Sequence, residues 1–66
     1  MNTTNDAVAH VMRLIKDEYT EMPGQSLTMP QMQRLYNLYD TTCAVAVNQH
    51  VADGFLARRG RQYIRF

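Results

Sequence analysis

The spacing of apolar residues changes period once along this chain, at Asp53-Gly54. Before that point apolar positions recur at steps of three and four, the signature of helices. After it, short apolar runs flank a glycine turn, the signature of a hairpin. The chain is 66 residues long. A domain of this size buries only about 60% of the surface its unfolded chain exposes. Helices and hairpin must therefore share one core, which makes residues 1–66 a single domain, with residues 1–4 expected to be disordered. Length excludes multi-domain enzymes, barrels and doubly wound sheets.

Punctuation residues divide the helical part. Val8, Val11, Met12, Ile15, Tyr19 and Met22 fall on one face of a helix expected over about Asn5 to Met22, with Thr4 or Asn5 as its cap. Pro23-Gly24 ends it. Ser26-Leu27-Thr28 is too short for an independent strand but suits the edge of a small sheet. Thr28-Met29-Pro30-Gln31 reads as a capping box with proline in the first turn. The helix it opens is expected over Met29 to Tyr36, with Met32, Leu35 and Tyr36 inward and Asn37 as a left-handed terminator. After a tight turn at Asn37-Leu38-Tyr39, Asp40 is the expected cap of a third helix. Its inward stripe is Cys43, Val47, His50 and Val51, and Gly54 ends it.

The hairpin is expected to turn at Arg59-Gly60. That register pairs Leu56 with Tyr63, Phe55 with Ile64, and Arg58 with Arg61. Like charges so opposed weaken a hairpin. A chain that keeps such a pair either uses it on an anion or splays both side chains into water.

The single cysteine, Cys43, rules out an internal disulfide, and small secreted domains usually depend on several. A cytoplasmic location is expected. Cys43, His10 and His50 show no metal-ligand spacing, so neither metal nor cofactor is expected. The uncharged stretch from Thr41 to Ala52 is too short and polar to span a bilayer, and the N-terminal stretch lacks the order of a signal peptide. Charge is uneven: residues 1–40 are acidic on balance, whereas Arg58, Arg59, Arg61 and Arg65 oppose only Asp53 in the rest. A basic end on a near-neutral domain suits an anionic partner.

Helix, short strand, short helix, turn, longer helix, hairpin is the order of a winged helix-turn-helix. The fold class expected is α+β, mostly α: three helices with a short C-terminal β-hairpin wing. Val51-Ala52-Asp53-Gly54-Phe55-Leu56-Ala57-Arg58 resembles the passage from recognition helix to first wing strand in bacterial winged-helix regulators. Further residues carry a resemblance to a group of small bacterial winged-helix proteins: Glu18-Tyr19, Glu21-Met22-Pro23-Gly24, Leu27-Thr28, Arg34-Leu35-Tyr36, Cys43, Gly54-Phe55-Leu56 and Tyr63. That group carries no established activity, so the resemblance implies architecture and leaves function to analogy. Asn37 stands where the group tends to have glycine, and His50 where leucine is usual. With no hydrogen-bond partner legible for His50, leucine there is expected to stabilise the domain.

By register with other winged helices, Thr41, Thr42, Ala44, Val45, Asn48 and Gln49 face the major groove. Thr42 and Asn48 suit bases or phosphates, Val45 a thymine methyl, and the Asn48 and Gln49 amides pair well with adenine. That face has no lysine or arginine. Arg58, Arg59, Arg61 and Arg65 supply the phosphate contacts expected of the wing. Tyr19, Tyr36, Tyr39 and Tyr63 read as core residues with wet hydroxyls, and the methionines as core filler. No nucleophile, base and phosphate loop come together, so no enzyme and no small-molecule substrate are expected. The expected partner is double-stranded DNA, the expected role transcription regulation or an accessory function. The alternative is a winged-helix module that docks on a protein without binding DNA.

Overall fold

The computed structural model describes residues 3–38 and 41–66, with side chains from Asp6 onward. In order, the elements are α1 (Thr3–Glu21), β1 (Ser26–Thr28), α2 (Met29–Tyr36), α3 (Thr41–Ala52), β2 (Leu56–Arg59) and β3 (Gln62–Arg65). The three strands form an antiparallel sheet in the order β1-β3-β2. This is the winged helix-turn-helix arrangement, with β2 and β3 as the wing and β1 completing its sheet. Thr4 and Asn5 lie inside the first turn of α1 and so do not cap it. Tyr39 and Asp40, the expected core tyrosine and cap, lie outside the described residues.

Local chemistry sets the helix ends. Thr28 Oγ1 accepts from the Gln31 N–H at 3.3 Å while Gln31 Oε1 accepts from the Thr28 N–H at 2.8 Å, which closes the capping box on α2. At the other end Asn37 takes φ 56 and ψ 44. The Leu38 N–H then reaches the Gln33 carbonyl at 2.8 Å, a Schellman closure. Helix α3 ends the same way: Gly54 has φ 81 and the Phe55 N–H reaches the His50 carbonyl at 3.0 Å.

The core joins Val11, Ile15 and Tyr19 of α1 to Met32, Cys43, Ala46, Val47, Leu56 and Tyr63. A polar tie within it is the Tyr19 hydroxyl, which donates to the Tyr63 carbonyl at 2.7 Å. This pins α1 to the central strand where Tyr63 pairs with Leu27. Tyr19 is 0% exposed, so its hydroxyl is not wet as expected; it is satisfied by backbone instead.

Three inward assignments are corrected. Met22 is 55% exposed, because it follows the end of α1 where Pro23-Gly24 lead the chain away to β1. Leu35 is 52% exposed; the covered face of α2 is Met29, Met32 and Tyr36, and Leu35 sits about a quarter turn off it. On α3 the buried stripe is Cys43, Ala46, Val47 and His50, so Val51 falls at its margin and Ala46 replaces it.

The hairpin register also differs. Leu56 pairs with Arg65, Ala57 with Ile64, Arg58 with Tyr63 and Arg59 with Gln62, so the turn is Gly60-Arg61. The reason is conformational. Gly60 has φ 61, the first central position of a type II′ turn, and Arg61 keeps negative φ. A type I′ turn at Arg59-Gly60 would force an arginine to positive φ. The shift is two residues, which preserves faces: Leu56 and Tyr63 are both still buried. Arg58 does not face Arg61, and the argument from opposed like charges falls with that pairing.

Candidate nucleic-acid interface

Helix α3 has two unlike sides. Its buried stripe packs against α1, the most extensive helix pairing in the fold. Thr41, Val45, Asn48 and Ala52, at steps of four, three and four, line the opposite side and are exposed. Gln49 flanks them, also exposed, and Thr42 and Ala44 are half-buried at the margins. Of the set expected to face a groove, the helix thus brings Thr41, Val45, Asn48 and Gln49 onto one outward surface and leaves Thr42 and Ala44 at its edges. Gln49 is partly engaged, its Nε2 donating to Asp53 Oδ1 at 3.1 Å. A carboxylate therefore stands at the C-terminal end of that surface.

The inner side carries His50. It is 5% exposed, with Nε2 2.7 Å from the Met12 carbonyl. A carbonyl can only accept, so Nε2 carries the proton. The ring also lies 4.9 Å from that of Phe55, tilted by 44°. This partner was not legible in the sequence, since it is a backbone oxygen 38 residues away.

The four hairpin arginines do not form one surface. Arg58, Arg59 and Arg61 are exposed at the wing tip. The Arg58 Nε donates to the Gly60 carbonyl at 2.8 Å, which curls the side chain over the turn. Arg58 and Arg61 share a groove of about 420 Å3 with Thr28, Met29, Pro30 and Tyr63, so the basic tip lies beside the start of α2. Arg65 is at the opposite end of the strand, paired with Leu56. There its Nη1 donates to the Phe55 carbonyl at 3.2 Å and its Cζ sits 4.2 Å from the Phe55 ring centroid. An antiparallel turn sends arginines that are neighbours in sequence to opposite ends of the wing.

Among the described residues, no group of three or more His, Cys, Asp and Glu is placed to hold a metal ion. Among the same residues, no helix is long and apolar enough to cross a membrane. Two tyrosines packed against the core are held neutral. Burial raises the Tyr19 pKa against a backbone hydrogen bond with Leu27, and nearby Glu18 adds to the rise. Burial, with Glu18 second, pushes the Tyr36 phenol up to about 12.

The three-helix core, three-stranded sheet and wing define the class of fold, a winged helix. Comparison with protein-family models, with curated proteins and with solved structures finds no match to the chain.

Proposed function

We propose that this winged helix is a cytoplasmic DNA-binding protein without catalytic activity, a transcription regulator or accessory factor akin to the small bacterial winged-helix proteins it resembles. The observation that carries the reading is the open outer side of α3, with Thr41, Asn48 and Gln49 exposed, on a domain whose wing tip exposes Arg58, Arg59 and Arg61. Helix α3 offers hydrogen-bonding groups and the Val45 methyls to base edges. The wing tip offers cations to phosphates. Arg65 is removed from this interface by its place at the wing root.

One observation favours a second reading. The outer side of α3 has no cation, ends beside Asp53, and leaves Val45 46% exposed. A protein-docking surface has that composition, depleted of charge at its centre.

Fluorescence anisotropy against labelled duplexes at several salt concentrations separates the two. On the DNA reading the wild type binds at low salt. Arg61→Ala lowers the salt slope by about one unit, while Arg65→Ala leaves it nearly unchanged. Asn48→Ala costs roughly 1–3 kcal/mol on the preferred site and little elsewhere. Absence of binding at low salt removes the DNA reading. Val45→Glu then becomes the substitution that abolishes docking, by placing a charge in an apolar contact.

A further inference from the structure

A second concavity adjoins the surface just described only at Asp53. It is a groove of about 640 Å3 between α1, the end of α3 and the root of the wing. Ala9, Met12 and Phe55 give it an apolar floor, and Arg13, Lys16 and Arg65 bring cations from two separate elements to its edge. His50 closes it from beneath, its ring proton already given to the Met12 carbonyl.

Two of the cations lie over Phe55. The Arg65 Cζ lies 4.2 Å and the Lys16 Nζ 5.8 Å from the ring centroid. Such contacts fix the direction of a flexible side chain while leaving most of its donors unused. Arg65 spends one N–H on the Phe55 carbonyl. Among the described residues none of the three cations is held in an ion pair. The groove's carboxylate, Asp53, accepts from Gln49. The groove is therefore positive on balance.

We propose that this groove docks an acidic segment of a partner polypeptide, in which carboxylates flank an apolar side chain. Three arguments select that occupant. Each cation is exposed, and a single exposed ion pair contributes little, so a small anion gains too few contacts to be held. An extended chain engages the three cations at once. The floor of Met12 and Phe55 complements an apolar side chain, whereas a phosphodiester backbone offers nothing to cover it. Moreover, α1 packs on the side of α3 that carries His50, nearly half a turn from Asn48, so a duplex lying on the outer side of α3 is separated from the groove by the helix itself. The groove thus stands independently of the DNA reading.

The test is an NMR titration of the full chain with a synthetic peptide in which a leucine is flanked by glutamates on both sides. A counterpart with glutamine for glutamate serves as control. Expected are saturable shifts at Met12, Arg13, Lys16, Phe55 and Arg65, weakened roughly fivefold in an Arg13→Gln, Lys16→Gln double variant. Both substituted positions are exposed on α1, and circular dichroism checks that the variant remains folded. An Arg61→Gln variant should bind the peptide as the wild type does. The proposal is overturned by the absence of saturable binding, by equal affinity for the glutamine peptide, or by shifts that map to Gly60 and Arg61. Displacement of the peptide from these amides by duplex DNA would also overturn it, in favour of a nucleic-acid backbone.

Discussion

His50 illustrates how a single side chain can tie two elements. Its Nε2 lies 2.7 Å from the Met12 carbonyl and its ring tilts against Phe55 at 4.9 Å, so it links α3 to α1 and to the wing root. The expectation that leucine would serve better assumed an unpartnered polar group. With the bond present, the balance reverses. A typical internal hydrogen bond is worth about 0.5–1.5 kcal/mol net, and the ring contact adds to it. Leucine recovers part of this through burial. The Met12 carbonyl is not orphaned, because it lies inside α1 where a helical N–H also reaches it. His50→Leu should therefore lower stability by about 1 kcal/mol, read as a lower midpoint in urea with an unchanged slope. A midpoint at or above that of the wild type would show that apolar packing outweighs the hydrogen bond.

At the scale of elements, three of the described residues adopt positive φ: Asn37 at φ 56, Gly54 at φ 81 and Gly60 at φ 61. Each ends or reverses an element, and they differ in what they tolerate. A Cβ added at Gly60 meets nothing within 4 Å, so the cost of Gly60→Ala is backbone strain alone. That cost is roughly 1–2 kcal/mol for a non-glycine residue in this region. Asn37→Gly should by contrast change stability little, since asparagine already tolerates the conformation. Parallel urea denaturations of the two variants check the contrast; equal losses would mean that the wing turn relaxes to another type.

These same elements show where the sequence was legible. The capping box, Asn37 and Gly54 were readable because each is set by residues within one turn. Hairpin register was not, since it depends on which turn position the glycine occupies, and both readings keep Leu56 and Tyr63 on the core face. Inward stripes were centred wrongly by a fraction of a turn: Leu35 lies off the face formed by Met29, Met32 and Tyr36, and on α3 the smaller Ala46, which fits a close helix approach, is covered where Val51 is not. The outer side of α3 followed from periodicity. The separation of Arg65 from Arg58, Arg59 and Arg61, and the gathering of Lys16 and Arg65 around Phe55, needed the tertiary fold.

For the molecule as a whole, two tyrosines make the core sensitive to alkali. The Tyr19 hydroxyl joins α1 to the sheet through Tyr63, and the Tyr36 hydroxyl joins α2 to α1 by donating to the Leu14 carbonyl at 3.4 Å. Neither bond survives ionisation, because a phenolate cannot donate. Burial, reinforced by Glu18, raises both pKa values, that of Tyr36 to about 12. An unfolded tyrosine ionises near pH 10. Below that pH both states keep their protons and the full stability is present. As pH rises from about 10 towards 12, the unfolded chain loses protons that the folded chain retains, so stability falls with pH. In a domain with one core, ionising either tyrosine detaches an element that every other element needs. The tyrosinate absorbance that wild type shows over a Tyr36→Phe variant, which isolates Tyr36 from the other three tyrosines, should therefore appear together with loss of the helical circular dichroism signal, not ahead of it. Tyr36→Phe removes one of the two linked groups, and its melting temperature should fall less steeply across this pH range than that of the wild type. A difference signal for Tyr36 that develops near pH 10 with the helices intact, and a Tyr36→Phe variant of the same alkaline slope, would show that this phenol opens to water without unfolding.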